Sequence, residues 1–169
     1  MLDKVDNVNA IKEVPLPLVR EHHDYLCEDF NVEAIERIEK NVHKILVNTL
    51  LTNIVDKNPN FVTLDLGCET GVSGKMLKEK EVVKSISGVD LSQAMVDFSK
   101  ELTVNQEKVY KDVACMDVLG FLKQTKQTYD LVIIPTYCRF YGKIDILLNQ
   151  VVKVLKKGAV VSFITLNTN

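Results

Sequence analysis

The sequence has no long apolar run, no closely spaced cysteine pair and no large excess of charge, and each absence excludes a class of protein. No stretch reaches the roughly 18 apolar residues of a transmembrane helix, so we expect no membrane span. The N-terminus lacks the apolar core of a secretory signal. A formal net charge of −2 gives no general attraction to nucleic acid or to an anionic membrane, and neither is expected as a partner.

Cysteine and histidine, the usual zinc ligands, are few, and the four cysteines are widely scattered. The four cysteines form no CxxC pair, so the sequence predicts neither a zinc site nor a disulfide framework, and a cytoplasmic location is expected. The adjacent His22 and His23 would point in different directions on either a helix or a strand. We interpret that pair as polar surface, and no metal site is predicted.

The length of 169 residues suits one compact domain, in which residues 1–58 form an N-terminal extension with helices and residues 59–169 an α/β core. Two prolines, at positions 15 and 17, indicate that residues 1–18 are an extended lead-in. Apolar residues at helical spacing predict an amphipathic helix from Val32 to Val55, with Asn31 as its N-cap and an end at Asn58-Pro59. We expect this helix to cover a sheet face; a partner-binding or membrane-surface helix is the alternative.

Beyond Pro59, short apolar runs alternate with helical stretches. Strands are predicted at Phe61–Leu66, Ser85–Val89, Val113–Met116, Leu131–Ile134 and Ala159–Leu166. Helices are predicted at Val72–Lys80, Gln93–Leu102, Val118–Lys123 and Ile144–Leu155. Runs such as LVII and VVSFI are typical of parallel strands that are buried on both faces. The alternation predicts an α/β fold, a doubly wound and mainly parallel sheet.

The first predicted strand ends in an acidic residue and a glycine-containing loop, Asp65-Leu66-Gly67-Cys68-Glu69-Thr70-Gly71. Glycine lets a backbone approach a ligand closely, and ligands of such sheets lie beyond the carboxyl ends of the strands. The second strand ends in Asp90, 23 residues after Gly67, a spacing that suits a carboxylate accepting from ribose hydroxyls. The glycine loop could instead be only a tight connection, and Asp90 could be only the N-cap of the next helix. Together the two features favour a nucleoside-containing cofactor.

Four segments resemble, in order, the motifs of class I S-adenosylmethionine (SAM) dependent methyltransferases: LDLGCETG, GVDLSQAMV, YDLVIIP and VLKKGAVVSF. The run VYKDVACMDVLGFL is similar to that of predicted methyltransferases associated with tetratricopeptide repeats. The resemblance covers Phe61 to Leu166 and implies a Rossmann-like fold with SAM as the cofactor. A nicotinamide dinucleotide is disfavoured, because the loop is not GxGxxG.

The resemblance also implies roles for single residues. Asp65 and Gly67 would contact the methionine part of SAM, and Cys68 and Gly71 would supply loop contacts. Asp90 would bind the ribose hydroxyls, and Leu91, Asp117 and Val118 would surround the adenine. Pro135 and Thr136 would lie near the methyl group. Tyr137, Arg139 and Tyr141 would lie where the substrate approaches, and a surface loop is the alternative for them. Tyr137 and Tyr141 are the candidate general bases, each of which would need a lowered pKa.

The sequence departs from the family pattern in two places. Glu69 stands where glycine is usual, so it would either weaken SAM binding or turn its side chain to solvent. The chain also stops after the fifth predicted strand, apparently without the last two strands of the family sheet. An open apolar edge would result. A fragment of a longer protein, a naturally shortened protein, and a chain that pairs this edge with a partner, for example in a homodimer, are the alternative explanations.

The implied reaction is methyl transfer from SAM to an unidentified small molecule or protein side chain. Positioning and desolvation account for much of the rate of such a displacement, so the absence of a nucleophile triad does not count against it. A catalytically inactive SAM-fold binding or structural module is the alternative, because of Glu69, the missing strands and the weak base.

Overall fold

A computed structural model describes residues 14–29, 32–54, 60–139 and 143–165. Its helices are α1 (Leu16–Asp29), α2 (Val32–Asn53), α3 (Val72–Glu79), α4 (Gln93–Glu101), α5 (Val118–Gln124) and α6 (Ile144–Val151). Its strands are β1 (Phe61–Leu66), β2 (Val83–Asp90), β3 (Thr103–Val104), β4 (Glu107–Lys108), β5 (Asp112–Cys115), β6 (Tyr129–Ile134) and β7 (Leu155–Phe163).

Five strands form one parallel sheet in the order β5-β2-β1-β6-β7. The chain first winds from β1 outward to β5 and then returns past β1 to β6. The direction of winding therefore reverses between β1 and β6, and the carboxyl ends of these two strands form the topological switch point. The predicted fold class, a doubly wound and mainly parallel α/β sheet, is confirmed.

The sheet separates two hydrophobic cores, because alternate residues of each buried strand point to opposite faces. In β6, Leu131 and Ile133 face one core, whereas Val132 and Ile134 face the other. The first core also contains residues of α2, α3 and α4, and the second contains residues of α5 and α6. This three-layer packing fixes the strands whose ends carry the predicted site.

The two N-terminal helices pack on this unit rather than extending away from it. Helix α1 contacts α4, and α2 contacts α3 and β7. Leu46, Val47 and Leu50 of α2 are buried in the first core, which confirms the prediction that this helix covers a sheet face. The predicted cap Asn31 and the predicted end at Asn58-Pro59 lie outside the described residues.

Several predicted boundaries were wrong. Residues 16–18 are not an extended lead-in but the first turn of α1, where Pro17 loses no helical hydrogen bond because the first N–H groups of a helix have no partner. The helix predicted to run to Leu155 ends at Val151 and continues as a 3-10 turn, Val152–Val154. The last strand, β7, begins at Leu155 rather than at the predicted Ala159. The antiparallel hairpin of β3 and β4 was not predicted, since its turn places Asn105 and Gln106 at positive φ without a glycine.

In the described part of the chain, β7 pairs only with β6 and lies at one edge of the sheet. The described residues end at position 165, so the predicted absence of two further strands, and the homodimer that it suggested, stay predictions. None of the described helices is long and apolar enough to cross a bilayer.

Two helical glycines differ sharply in the space around them. A Cβ added at Gly74 in α3 would lie 2.3 Å from the Tyr110 hydroxyl, which is buried and hydrogen-bonded, whereas one at Gly120 in α5 would meet nothing closer than 3.7 Å. We expect Gly74→Ala to lower the free energy of unfolding by about 2 kcal/mol. Gly120→Ala should instead raise it by about 0.5–1 kcal/mol through helix propensity. Urea unfolding of both variants tests this, and equal effects would contradict it.

Candidate functional site at the carboxyl ends of the strands

The candidate site is built from the loops that follow β1, β2, β5 and β6, at the end of the sheet where the carboxyl ends of these strands meet. The strand register aligns these ends, with Leu66 opposite Val89 and Asp90 opposite Cys115. The structure therefore brings together eleven of the predicted residues: Asp65, Gly67, Cys68, Gly71, Asp90, Leu91, Asp117, Val118, Pro135, Thr136 and Tyr137. These positions follow from the fold, whereas the role of each residue in binding stays a prediction.

The loop after β1 takes a backbone path that favours glycine. Gly67 and Gly71 have φ of 73° and 85°, in the left-handed region. A Cβ at Gly67 would lie 3.0 Å from that of Tyr137, so the loop approaches the segment after β6 very closely. The Cys68 side chain is buried in the first core, where burial and then the charge of Asp90 raise the pKa of its thiol. Only the backbone of Cys68 is left for a loop contact.

Asp90 connects this loop to the start of α4. Its Oδ2 accepts a hydrogen bond from the Glu69 backbone N–H at 2.9 Å, and its Oδ1 accepts one from the Ser92 N–H at 2.9 Å. Each carboxylate oxygen has two acceptor positions, so both retain capacity for a further donor such as a ribose hydroxyl. The side chain is only 2% exposed. The Asp90 carboxylate, which is predicted to bind the ribose hydroxyls, is thus held in a fixed orientation.

Helix α1 covers Asp90, which the sequence did not predict. His23 Nδ1 lies 3.9 Å from Asp90 Oδ1, and Ser92 Oγ donates to Asp24 Oδ1 at 2.5 Å. His23 is 7% exposed, so the interpretation of the histidine pair as polar surface was wrong for this residue. The reason is tertiary: α1 packs along α4 and turns His23 toward the end of β2.

Asp65, the acidic residue near the end of β1, is completely buried. Its Oδ2 accepts from the Tyr110 hydroxyl at 2.7 Å, whereas its Oδ1 has no hydrogen-bond partner among the described residues. Burial raises its pKa from 3.8 to about 7, and the nearby charge of Asp90 adds to the shift while the Tyr110 hydrogen bond opposes it. This carboxyl group can therefore gain or lose a proton near neutral pH.

Glu69 does not turn to solvent, so that expectation was wrong. It has φ of 48° and is 4% exposed, and its Oε1 accepts from Thr136 Oγ1 at 2.5 Å. Its Oε2 lies 3.7 Å from Nε2 of His43 in α2, and His43 Nδ1 is 2.8 Å from Ser73 Oγ. Sequence reasoning missed His43. Its apolar neighbours on the helix indicated a buried face, but no motif marked it as part of a site.

The predicted adenine-side residues surround the start of α5. Asp117 caps this helix through Oδ2, which accepts from the Gly120 N–H at 2.9 Å, and its Oδ1 accepts from the Tyr137 hydroxyl at 3.2 Å. Val118 is buried beneath it and Leu91 is half-buried beside the end of β2. Tyr137 thus lies against Gly67 with its Cβ and contacts Asp117 with its hydroxyl.

The remaining candidates are less well defined. Arg139 ends the short 3-10 turn Tyr137–Arg139, and its side chain is outside the description. Tyr141, the second candidate base, lies outside the described residues. No cluster of three metal-binding side chains occurs in residues 14–29, 32–54, 60–139 and 143–165 where side chains are described.

The geometry agrees with what comparison with known proteins finds. Residues 63–158, more than half of the chain, match the family described as "Methyltransferase domain". A malonyl-[acyl-carrier protein] O-methyltransferase of Acetivibrio thermocellus is 27% identical over 136 residues, covering 80% of this chain and 45% of that protein. A polyamine aminopropyltransferase of Oceanobacillus iheyensis is 30% identical over 105 residues, covering 57% of this chain and 20% of that protein. The chain thus spans about half the length, or less, of these curated relatives.

Solved structures show the same fold. The magnesium protoporphyrin IX methyltransferase of Synechocystis PCC 6803, crystallised with bound SAH, superposes with a TM-score of 0.62 at 18% identity. The superposition covers 83% of this chain and 68% of that one. At this identity the likeness establishes the fold and leaves the chemistry to the residues of the site.

Asp65 should make the stability of the protein depend on pH. Its pKa is raised on folding, so between pH of about 4 and 7 the native state holds a proton that the unfolded state has released. The free energy of unfolding should therefore fall as pH rises through this window, by about 1.4 kcal/mol for each pKa unit at most. In Asp65→Asn this component should be absent. Urea unfolding at about pH 5 and about pH 8 measures it, and the exposed Asp97→Asn should keep the wild-type dependence.

Proposed function

Because this chain belongs to the methyltransferase-domain family, we propose that it transfers a methyl group from SAM to an acceptor held beyond the end of β6. The observation that carries the proposal is the buried Asp90 carboxylate. It lies at the end of β2, bonded to the glycine loop, beside the topological switch point. SAM supplies a methyl group bound to a positively charged sulfur, which leaves as a neutral thioether.

The residues present fit this cofactor in chemistry. Asp65 Oδ1 is a completely buried acceptor without a hydrogen-bond partner in the described chain, a state that costs free energy unless a donor reaches it. The SAM ammonium group is such a donor. Gly67 and Gly71 have positive φ, so the backbone of the loop follows a left-handed path that brings it close to a ligand at the end of β1.

Two contacts in this structure must yield or be shared when an adenosyl group binds. His23 lies against Asp90, and the Tyr137 hydroxyl occupies Asp117 Oδ1. Both groups come from segments outside the strands, α1 and the turn after β6, which are easier to displace than the sheet. We infer that the protein exchanges these internal contacts for contacts to ribose and adenine, with α1 then helping to exclude water.

The acceptor is proposed to be a small molecule or a protein side chain. A net charge of −2 supports this over nucleic acid, and the similar proteins are named for malonyl-acyl-carrier protein and polyamine substrates. Tyr137 remains the described candidate for a base. Its hydroxyl donates to the Asp117 carboxylate, an arrangement that orients the ring and its hydroxyl.

Calorimetric titration with SAM and S-adenosylhomocysteine (SAH) tests the proposal. We expect micromolar binding by the wild-type protein and at least about a tenfold loss in Asp90→Ala, because the variant removes the acceptor for ribose hydroxyls. The matched control is Asp97→Asn, which removes an exposed carboxylate from α4 and should bind normally. Thermal unfolding must first show that each variant is folded. Absence of SAM binding by folded wild-type protein would refute the proposed cofactor.

Tyr137→Phe should strengthen SAM binding about threefold. The substitution keeps the buried ring but removes the hydroxyl that shares Asp117 Oδ1, so this oxygen becomes a stronger acceptor for an adenine amino group. The same titration measures the change. Weaker binding in this variant would mean that the hydroxyl itself contacts the ligand.

A further inference from the structure

Glu69 stands at the position where the family has glycine, yet its carboxylate is kept inside the site. A non-glycine residue at φ of 48° strains the backbone, because its Cβ crowds the neighbouring carbonyl oxygen. The side chain is nonetheless 4% exposed and held by the Thr136 hydroxyl. Thr136 follows β6, where the resemblance to the family places the methyl group. The carboxylate thus lies where the loop after β1 meets the segment after β6, beside the proposed cofactor site.

The surroundings of Glu69 are acidic. Three carboxyl side chains of the site, Asp65, Glu69 and Asp90, are each at least 96% buried. Their charges act on a shared neighbour, since each of them raises the pKa of the Cys68 thiol. Among the described residues no lysine or arginine is buried, and the nearby cationic candidates are His23 and His43. Asp65 Oδ1, which has no hydrogen-bond partner among the described residues, points independently to a ligand that carries a hydrogen-bond donor.

Methyl transfer changes the charge of the cofactor at one atom. As a lone pair of the acceptor forms a bond to the methyl carbon, the S–C bond of SAM breaks, its electron pair stays on sulfur, and the positively charged sulfonium becomes the neutral thioether of SAH. A buried carboxylate attracts the positively charged sulfonium of SAM but not the neutral thioether of SAH. Because the site is buried, solvent and salt screen this attraction only weakly. We propose that Glu69 makes the site selective for the cationic sulfonium cofactor over its thioether product.

This inference rests on the proposed function and adds a role that the family glycine does not have. Glu69 is a specificity-determining residue here, and Thr136 and His43 are positioning residues that hold its carboxylate. The consequence is that product leaves the site more readily than cofactor does, because loss of the positive charge removes the interaction that Glu69 supplies.

The test compares dissociation constants of three ligands by calorimetry: SAM, SAH, and sinefungin, in which a protonated amine replaces the methylsulfonium. For the wild-type protein we expect both cationic ligands to bind at least about tenfold more tightly than SAH. In Glu69→Gln, which keeps the shape of the side chain, the ratio should fall to about one, mainly through weaker binding of the cationic ligands. Glu79→Gln, at an exposed glutamate of α3, should retain the wild-type ratio.

Glu69→Gly is the second variant, because it relieves the backbone strain and restores the family residue. It should bind SAM and SAH with similar affinity. A wild-type SAM-to-SAH ratio that is unchanged in Glu69→Gln would overturn the inference while leaving the proposed function intact. Binding by Glu69→Gly but not by wild type would also overturn it, since Glu69 would then block the site. If neither folded protein binds any of the three ligands, the proposed function fails together with the inference.

Discussion

The carboxylate of Asp90 is the interaction on which the site depends. It accepts one hydrogen bond from the backbone of Glu69, in the loop after β1, and one from the backbone of Ser92, just before α4. It therefore fixes the loops that follow two neighbouring strands. A carboxylate that accepts backbone N–H groups in a buried position is difficult to replace, because its removal leaves those donors without partners. The same group lies against His23, so the position of α1 also depends on it.

Much of the fold could be predicted because its signals are local. The apolar runs of β1 and β6 indicated strands buried on both faces, and the spacing of apolar residues in α2 indicated a helix with one buried face. The family, too, followed from motifs that lie at the ends of these strands, and the match over residues 63–158 confirms it. The narrower likeness to methyltransferases associated with tetratricopeptide repeats stays a prediction.

What could not be predicted depends on contacts between distant segments. Helix α1 was missed because two prolines at its start are typical of extended chain, although the first turn of a helix tolerates them. His23 and His43 carry no motif, and they join the site only because α1 and α2 pack beside α4 and α3. The direction of the Glu69 side chain was likewise undetermined, since a residue at positive φ can point outward or inward, and its contacts include the distant Thr136 and His43.

The contribution of α1 and α2 has a consequence for how this domain can be divided. The residues that define the family begin at position 63, yet two of the side chains that face the acidic residues of the site come from helices before it. Transplanting only the family portion onto another scaffold would carry over the three buried acids and leave their histidine neighbours behind. The smallest unit that preserves the electrostatic balance of this site is therefore larger than the smallest unit that preserves its signature motifs.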